Sequence, residues 1–546
     1  MRFFNTAGPV NCSKHYCLPP LERFDLPEIL NLIGQEKYFV LHAPRQTGKT
    51  SALLALRAYL NREGRYRALY VNFEVAQGYR QHVNEGLTAL LQEISGQARL
   101  TLGDATADVI ARDLIMLGAP SLSEFLNRWC SAADRPTVLL IDEIDALVGD
   151  VLITVLRQLR AGYPQRPQAF PATVVLCGVR DVRDYRIHSE VGQEIITGGS
   201  AFNVKAESLR LGDFTEQEVM TLLTQHTQET GQVFEPEAKA TAWELTQGQP
   251  WLVNALAYET CFKMPEGRDR AQPITAEMVF TAKENLILRR ETHLDQLTDK
   301  LKEARVRRVI APMLQGIELE GAVSEDDLRY VTDLGLIRRT ARGLQIANPI
   351  YGEIIPRELT FITQLNLEGA IDAAWYVRAD GRLDLPKLLA AFQQFFREHS
   401  ESWVERFEYR EAGPQLLLQA FLQRIVNGGG RVEREYGLGR MRTDLLVLWP
   451  VVRGQASGVR SQQPASNVQR AVIELKVLHK SLDQTIADGL RQTWEYADRC
   501  GADEAHLVIF DRRPGRSWEE KLFRRAEVHR GTPERPVAFP VTVWGM

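Results

Sequence analysis

The stretch from Tyr38 to Leu56, YFVLHAPRQTGKTSALLAL, decides the fold of this chain. Tyr38 to His42 read as a buried strand, the next residues as a tight turn ending in Gly48-Lys49-Thr50, and Ser51 onward as a helix. A strand, a loop and a helix N-terminus in that order cradle a polyphosphate. Loop N–H groups and the helix end face the anion, the lysine reaches the β- and γ-phosphates, and the threonine hydroxyl meets Mg²⁺. Ala43, Pro44, Arg45, Gln46, Thr47, Gly48, Lys49, Thr50 and Ser51 are therefore expected to hold a nucleotide, with ATP and Mg²⁺ as the cofactors. Ala43 stands where such loops usually carry their first glycine, but the end that touches phosphate is intact. A chance Gly-Lys-Thr in a surface loop would lack the apolar strand before it.

A second strand supplies the carboxylates. Thr137-Val138-Leu139-Leu140-Ile141 is continuously apolar, as in a strand buried on both faces of a parallel sheet, and it ends in Asp142-Glu143-Ile144-Asp145. At that edge Asp142 is expected to hold Mg²⁺ through water and Glu143 to polarise the attacking water. Asp145 either orients a neighbour or caps the following helix. Arg67–Glu74 and Thr173–Gly178 read as further strands, and helical stretches separate all four. The fold class is α/β, with a parallel sheet. Arg180 and Asp181 follow the last of these strands, where they either sense the γ-phosphate or sit in a solvated loop.

The composition is that of an ordinary globular protein: 546 residues, 44% hydrophobic, 25% charged, net charge −4. That length allows three or four domains. No global basic field announces nucleic acid, so such binding must come from local patches. Six scattered cysteines, Cys12, Cys17, Cys130, Cys177, Cys261 and Cys500, read as free thiols in a reducing cytoplasm. Cys12, His15 and Cys17 lack the fourth ligand of a structural zinc site. No apolar run approaches the ~18–20 residues of a membrane span.

Beyond Leu211 short helices take over. Thr215-x-x-Glu218 is a capping box, and Gln247-Gly248-Gln249-Pro250-Trp251 breaks the helical run. Ser324 opens a helix that ends near Gly335, and LIRRTARGLQIA reads as a β-hairpin, so this part looks like a winged helix serving either as a packing module or as a DNA reader. The boundaries expected are a phosphate-loop core over 1–210, a helical lid over 211–300, a winged-helix-like module over 301–360, a helical linker over 361–410 and a smaller α/β domain over 411–546.

In that last part Asp444 opens the run LLVLW, and Glu474 and Lys476 sit two apart in AVIELKV. Residues two apart on a strand share a face. Glu474 and Lys476 can thus converge on one site, with Asp444 joining from a neighbouring strand and Gln492 from the next helix. Two carboxylates bind a divalent metal, and a lysine stabilises charge at phosphorus. Asp444, Glu474, Lys476 and Gln492 are the candidate catalytic set here, with Asp444 and Glu474 as metal ligands. The bland alternative is a surface charge ladder.

Taken together, FNTAGPVN, KHYCLPP, the Tyr38–Leu56 run, VLLIDEIDAL, VVLCGVRDVRDYR, FNVKAESLRLGDFT, TQGQPWLVNALA, YVTDLGLIRR and IANPIY resemble, in order, the bacterial AAA-like ATPases, a P-loop branch close to the STAND group. The resemblance implies a helical lid that brings Gly248-x-Pro250 near the adenine, and a segment around His15 and Tyr16 that closes over the base. The C-terminal part is similar to a PD-(D/E)XK nuclease-like domain of the kind appended to such ATPases. The function expected is an ATP-binding, ATP-hydrolysing switch coupled to a metal-dependent nuclease, with DNA or RNA and a second copy of the chain as partners and no membrane. The alternative is a regulatory ATPase scaffold whose last domain binds nucleic acid or protein without cutting. Arg157, Arg160 and Arg183 are candidates for an arginine finger.

Overall fold

The computed structural model describes residues 1–181, 186–189, 194–197, 202–289, 299–301, 303–314, 323–340, 343–359, 376–406, 418, 421–422, 430–438, 441–451, 468–478, 481–511, 513, 516–529 and 539–546. Arg183 lies outside them. The chain divides into two compact units, one formed by Met1–Val309 with Glu320–Gly352, the other by Ile310–Leu319 with Glu353–Met546. Among the described residues no helix is long and apolar enough to cross a membrane.

The first unit opens with two short strands, β1 (Phe3–Phe4) and β2 (His15–Tyr16), and helix α1 (Leu26–Gly34). Then come β3 (Tyr38–His42), α2 (Lys49–Glu63), β4 (Arg67–Asn72), α3 (Val83–Leu102), α4 (Thr106–Met116), α5 (Leu122–Ser131), β5 (Thr137–Asp142), α6 (Gly149–Ala161) and β6 (Thr173–Gly178). A hairpin of β7 (Arg186–Ser189) and β8 (Glu194–Thr197) precedes β9 (Lys205–Arg210). The main sheet runs β4-β5-β6-β3-β9, all parallel. Its central strands are buried throughout, which is why their sequences are unbroken apolar runs. Alternate residues feed two cores: Leu139 and Ile141 pack with α3, α5 and α6, while Val138 and Leu140 pack with Leu53 and Leu56 of α2.

This order sets β6 between β3 and β5. The loop after β3 and the carboxylates after β5 therefore open on the same edge, the carboxyl ends of the strands, where open α/β sheets bind ligands. One buried polar cluster helps fix the distal side. Arg67 Nη1 donates to Asp104 Oδ2 (2.9 Å), Trp129 Nε1 donates to the same oxygen (2.8 Å), and the guanidinium lies 4.2 Å from the centre of the Trp129 ring.

The helices α7 (Glu216–Thr230), α8 (Pro236–Thr246), α9 (Pro250–Tyr258) and α10 (Ala276–Leu288) follow. The Thr215–Glu218 capping box forms, each side chain bonding the other residue's backbone N–H. Gly248, at φ +80°, has no room for a side chain: a Cβ there would stand 1.9 Å from the Phe214 carbonyl oxygen. After α11 (Ala304–Leu314), Ser324 caps α12 (Glu325–Asp333), and β10 (Ile337–Thr340) and β11 (Gly343–Ile346) pair antiparallel. Arg305 and Arg308 of α11 hold Asp326 and Asp327 of α12.

The second unit holds α13 (Leu385–Arg406), β12 (Arg431–Leu438), β13 (Met441–Pro450), β14 (Val468–Val477), α14 (Leu482–Cys500), β15 (Glu504–Phe510), β16 (Phe523–His529) and β17 (Phe539–Gly545). Its six-stranded sheet runs β12-β13-β14-β15-β17-β16. The meander β12-β13-β14 is antiparallel, and α14 then returns the chain so that β15 lies parallel to β14. Helix α14 covers the face bearing Val472, Leu507 and Val543. Helix α13 reaches the other face: Phe396 packs on Phe510, and Gln393 Nε2 donates to the carbonyls of Phe523 and Gly545.

Candidate functional site

The loop after β3 folds as its residue types dictate. Gly48 takes φ +96°, a backbone that side-chain-bearing residues rarely adopt, so the position favours glycine. Ala43, in contrast, does not take a left-handed φ, which is why alanine serves where glycine is usual. Thr47 Oγ1 donates to the Pro44 carbonyl (2.8 Å). Lys49 is buried, and its Nζ donates to the carbonyls of Ala43 (2.9 Å) and Pro44 (3.0 Å). Arg23, which the sequence reading did not single out, braces the loop from outside: Nη1 donates to the Thr47 carbonyl and Nη2 to that of Gly212 (both 2.6 Å).

The carboxylate edge meets this loop directly. Thr50 Oγ1 donates to Asp142 Oδ2 at 2.7 Å, and Tyr70 Oη donates to the same oxygen at 3.0 Å. Asp142 Oδ1 accepts the Glu143 N–H (3.0 Å). Burial, then the Asp142 charge beside it, pushes the Tyr70 hydroxyl well above its ordinary range, so it remains a donor. Glu143 sits at φ +54°, in the left-handed region that a non-glycine residue enters at a strain of about 1–3 kcal/mol. Burial first, then repulsion from Asp145 and Asp142, holds its carboxyl above the usual value, against the pull of Lys49 and Arg45.

Above the loop lies a cavity of about 390 Å³, within the size range of small-ligand sites. Its floor is Arg45 to Ser51 with Glu74 and Glu143, its far wall Leu222, Pro250, Trp251 and Asn254, and its roof the N-terminal segment Asn5–Val10 with Tyr16–Leu18. That roof is a strap bound at both sides. The Val10 N–H donates to Ser51 Oγ on α2 (3.0 Å). On the other side, Gln225 of α7 accepts from the Cys17 N–H (3.1 Å) and donates to the Cys17 carbonyl (2.9 Å). Tyr16 Oη lies 3.3 Å from His226 Nδ1, Trp251 Nε1 donates to the Thr6 carbonyl (2.9 Å), and Arg2 pairs with Glu229 (2.8 Å).

Of the expected cavity residues, Arg45, Gln46, Thr47, Gly48, Lys49, Thr50, Ser51, Tyr16, Pro250 and Glu143 line it. Ala43, Pro44 and Asp142 stand behind that lining, with Asp142 fully buried and reached through Thr50. His15 faces away: neighbours on a strand point oppositely, and its ring packs edge-on against Phe3 at 4.7 Å. The expectation of free thiols fails at Cys12 and Cys17, which form a disulfide. The tight turn in which the N–H groups of Lys14 and His15 donate to the Asn11 carbonyl brings their Cα atoms to 5.5 Å, within disulfide reach. Cys130, Cys177, Cys261 and Cys500 are free.

Arg180, beyond β6, is turned toward α12. Its Nε stands 3.7 Å from Asp333 Oδ2, and its guanidinium lies 4.7 Å from the Tyr330 ring centre. Gly335 abuts the loop itself, where a Cβ would meet Pro44 at 2.7 Å.

In the second unit Glu474 is buried on β14, and Lys476 Nζ bonds its Oε1 at 2.6 Å. Both share the sheet face of Val472, the face under α14, which carries Gln492. Leu475 points oppositely, with Ile473, as alternation requires, and is buried. β13 begins at Met441, three residues before Asp444, so Asp444 lies within the strand rather than opening it. The ladder pairs Leu445, the residue after Asp444, with Ile473, the residue before Glu474. The Asp444 side chain lies outside the described residues.

The sequence profile of the AAA-like domain matches residues 29–353. A search of curated proteins finds no match. Among solved structures, the Walker-type ATPase PABY2304 of Pyrococcus abyssi is 15% identical, over 64% of this chain and 99% of that one, with a TM-score of 0.43. RuvB, the Holliday junction branch migration motor of Thermotoga maritima, is 15% identical over 60% and 93%, with a TM-score of 0.33. Cdc6p of Pyrobaculum aerophilum is 16% identical over 65% and 96%, also at 0.33. Likenesses this slight carry no argument about activity. The profile match is different in kind, because it spans more than half of the chain and takes in the phosphate-type loop, the β5 carboxylates and Pro250: this chain belongs to the AAA-like domain family.

Proposed function

We propose that this protein is an ATP-driven switch whose first unit binds and hydrolyses ATP–Mg²⁺ and whose nucleotide state governs a metal-dependent, nuclease-like second unit. The observation that carries the first half is the Thr50–Asp142 bond of 2.7 Å beside a buried Lys49, at the floor of the cavity. The donor set suits Mg²⁺, a hard ion that takes oxygen ligands and keeps several waters. Thr50 would hold it directly and Asp142 through water. The ion, when bound, neutralises charge on the β- and γ-phosphate oxygens. Lys49 moves from the Ala43 and Pro44 carbonyls to the phosphates. Glu143, its carboxyl lifted, orients and deprotonates the attacking water. Tyr16 and Pro250 enclose the base. Residues 301–360 act in this reading as a winged helix used for packing. Support comes from Arg305 and Arg308, which are engaged by Asp326 and Asp327, and from the acidic first turn of α12. A homo-oligomer fits, with Arg157 or Arg160, both exposed on α6, offered to a neighbouring copy.

The test is Lys49→Ala. Removing a charge-assisted contact worth about 1.5–3 kcal/mol should weaken ATP binding roughly tenfold to hundredfold by titration calorimetry. Equal affinity would sink the assignment.

For the second unit, support lies in the helix, antiparallel three-strand meander, crossover helix and parallel strand order, with Glu474 and Lys476 on one face and Asp444 on the adjacent strand, next to the Leu445–Ile473 pair. The substrate class would be DNA or RNA. A second reading, binding without cleavage, is favoured by the engagement of Glu474 by Lys476. Mg²⁺-dependent degradation of plasmid DNA or RNA by the full chain, lost in Lys476→Ala, selects the first reading; no degradation selects the second.

A further inference from the structure

We propose that Tyr70 is a positioning residue for the Mg²⁺ site, holding the Asp142 carboxylate in the orientation the ion requires; this rests on the reading of Thr50 and Asp142 as the Mg²⁺ side of an ATP site.

The sheet register puts Tyr70 where this is feasible. β4 and β5 pair with Tyr70 opposite Leu140 and Asn72 opposite Asp142. Residues two apart on a strand share a face, and a diagonal neighbour of that kind is within reach of a long aromatic side chain. Tyr70 spans the diagonal: its ring packs against the core formed by Leu53, Leu56 and Leu140, and its hydroxyl ends 3.0 Å from Asp142 Oδ2. A phenylalanine would fill the same apolar space. The hydroxyl is therefore the part of the residue that packing leaves unexplained.

What it does follows from how a carboxylate is held. The torsion that turns a carboxylate is soft and roughly two-fold, so its plane is fixed by hydrogen bonds. Asp142 is fully buried, and the hydrogen-bond donors described around it are neutral: the Glu143 N–H on Oδ1, the Thr50 and Tyr70 hydroxyls on Oδ2, and the weakly donating thiol of Cys177 on β6. Thr50 sits in the first turn of α2, and its oxygen is itself a candidate ligand. Tyr70 is anchored in the sheet. Of the two hydroxyls on Oδ2 it is the one that is not itself a candidate ligand of the ion, and a hydroxyl is a stronger donor than the Cys177 thiol. Partners that orient a metal ligand in this way typically change metal affinity about 10- to 100-fold when removed. Because Asp142 would meet the ion through water, the lower end is expected.

The experiment measures binding, not turnover. A fluorescent ADP analogue is titrated into the full chain with Mg²⁺ and with EDTA, and the ratio of the two affinities is the metal coupling. Mn²⁺ binding to the ADP complex, followed by electron paramagnetic resonance, gives a direct second readout. For Tyr70→Phe the coupling ratio and the Mn²⁺ affinity should fall about tenfold, while affinity in EDTA stays within about twofold of the parent. Unchanged coupling and Mn²⁺ affinity would overturn the proposal, as would a loss of affinity in EDTA as large as that in Mg²⁺, the mark of a merely structural role. Asp142→Asn separates the premise from the inference. If the parent shows no Mg²⁺ coupling, or Asp142→Asn leaves it intact, the metal-site reading itself fails. If Asp142→Asn abolishes coupling and Tyr70→Phe leaves it whole, only the role of Tyr70 is lost.

Discussion

Gln225→Met tests whether the N-terminal strap is part of the nucleotide site. Gln225 holds the main chain of Cys17 with two hydrogen bonds, 3.1 and 2.9 Å, in a partly buried setting. Methionine matches its length and fills its space without making either bond. Each such bond contributes about 0.5–1.5 kcal/mol net, so the latch is worth about 1–3 kcal/mol. At about 1.4 kcal/mol per factor of ten, that is roughly fivefold to 150-fold in the strap's docking equilibrium. The other fastenings limit how much appears in binding. The Arg2–Glu229 pair is largely exposed and worth little, whereas the Trp251 bond to Thr6 and the Tyr16–His226 contact persist. The expected result is therefore near the lower figure: a dissociation rate about fivefold faster for a fluorescent ATP analogue by stopped flow, with a melting temperature lowered by no more than about 2–4 °C. A rate within about twofold of the parent, with the fold intact, would show that the cavity roof adds nothing to retention, and the latch argument would be wrong.

Two further outcomes are expected. Glu143→Gln should retain ATP binding and lose about 10²-fold or more in turnover, the scale of a positioned base; unchanged turnover would pass the role to Asp145. Asp104→Asn should destabilise the first unit by about 1.5–3 kcal/mol in a thermal or urea melt at neutral pH, because it removes the charge held by Arg67. Burial would raise the Asp104 pKa, but the bonds from Trp129, the Thr106 N–H and Arg67 outweigh it and hold it below its ordinary 3.8. A depressed acid contributes stability that is complete above the ordinary value and lost as pH falls through the folded one. The gap between parent and Asp104→Asn should thus persist at neutral pH and close below about pH 4; a gap that stays constant into acid would remove the charge from the explanation.

The parts of this fold that were legible in the sequence are those whose information is local. β3, β5 and β6 are apolar on both faces, so burial is written as an unbroken run, and the Thr215 and Ser324 caps need only their next three residues. β9 escaped notice because KAESLR sits at the sheet edge and is mostly polar, and β16 because FRRAEVH is an edge strand dense in charge. In the site, the loop and the β5 carboxylates announce themselves by type and spacing. Tyr70 does not, since its link to Asp142 runs across a strand pairing that the sequence does not display. The strap's grip on Gln225 joins residues 208 apart and has no local signal at all. The Cys12–Cys17 bridge was within local reach, but a scattered cysteine count pointed to free thiols.

That long reach also sets an order of assembly. The strap's fastenings close over 227 residues at Arg2–Glu229 and 245 at Thr6–Trp251. At a synthesis rate of about 5–20 residues per second, the segment carrying Thr6 leaves the ribosome roughly 12–50 s before its partner exists. Through that interval Phe4 and Tyr16, fully packed in the finished protein, have no lid helix to bury them. The loop around Lys49, by contrast, follows a strand whose sheet partners are complete by Arg210. On the reading proposed above, the nascent chain would thus own its seat for phosphates before its ceiling for the base, and a delay in the helices that follow would leave an aromatic N-terminus exposed.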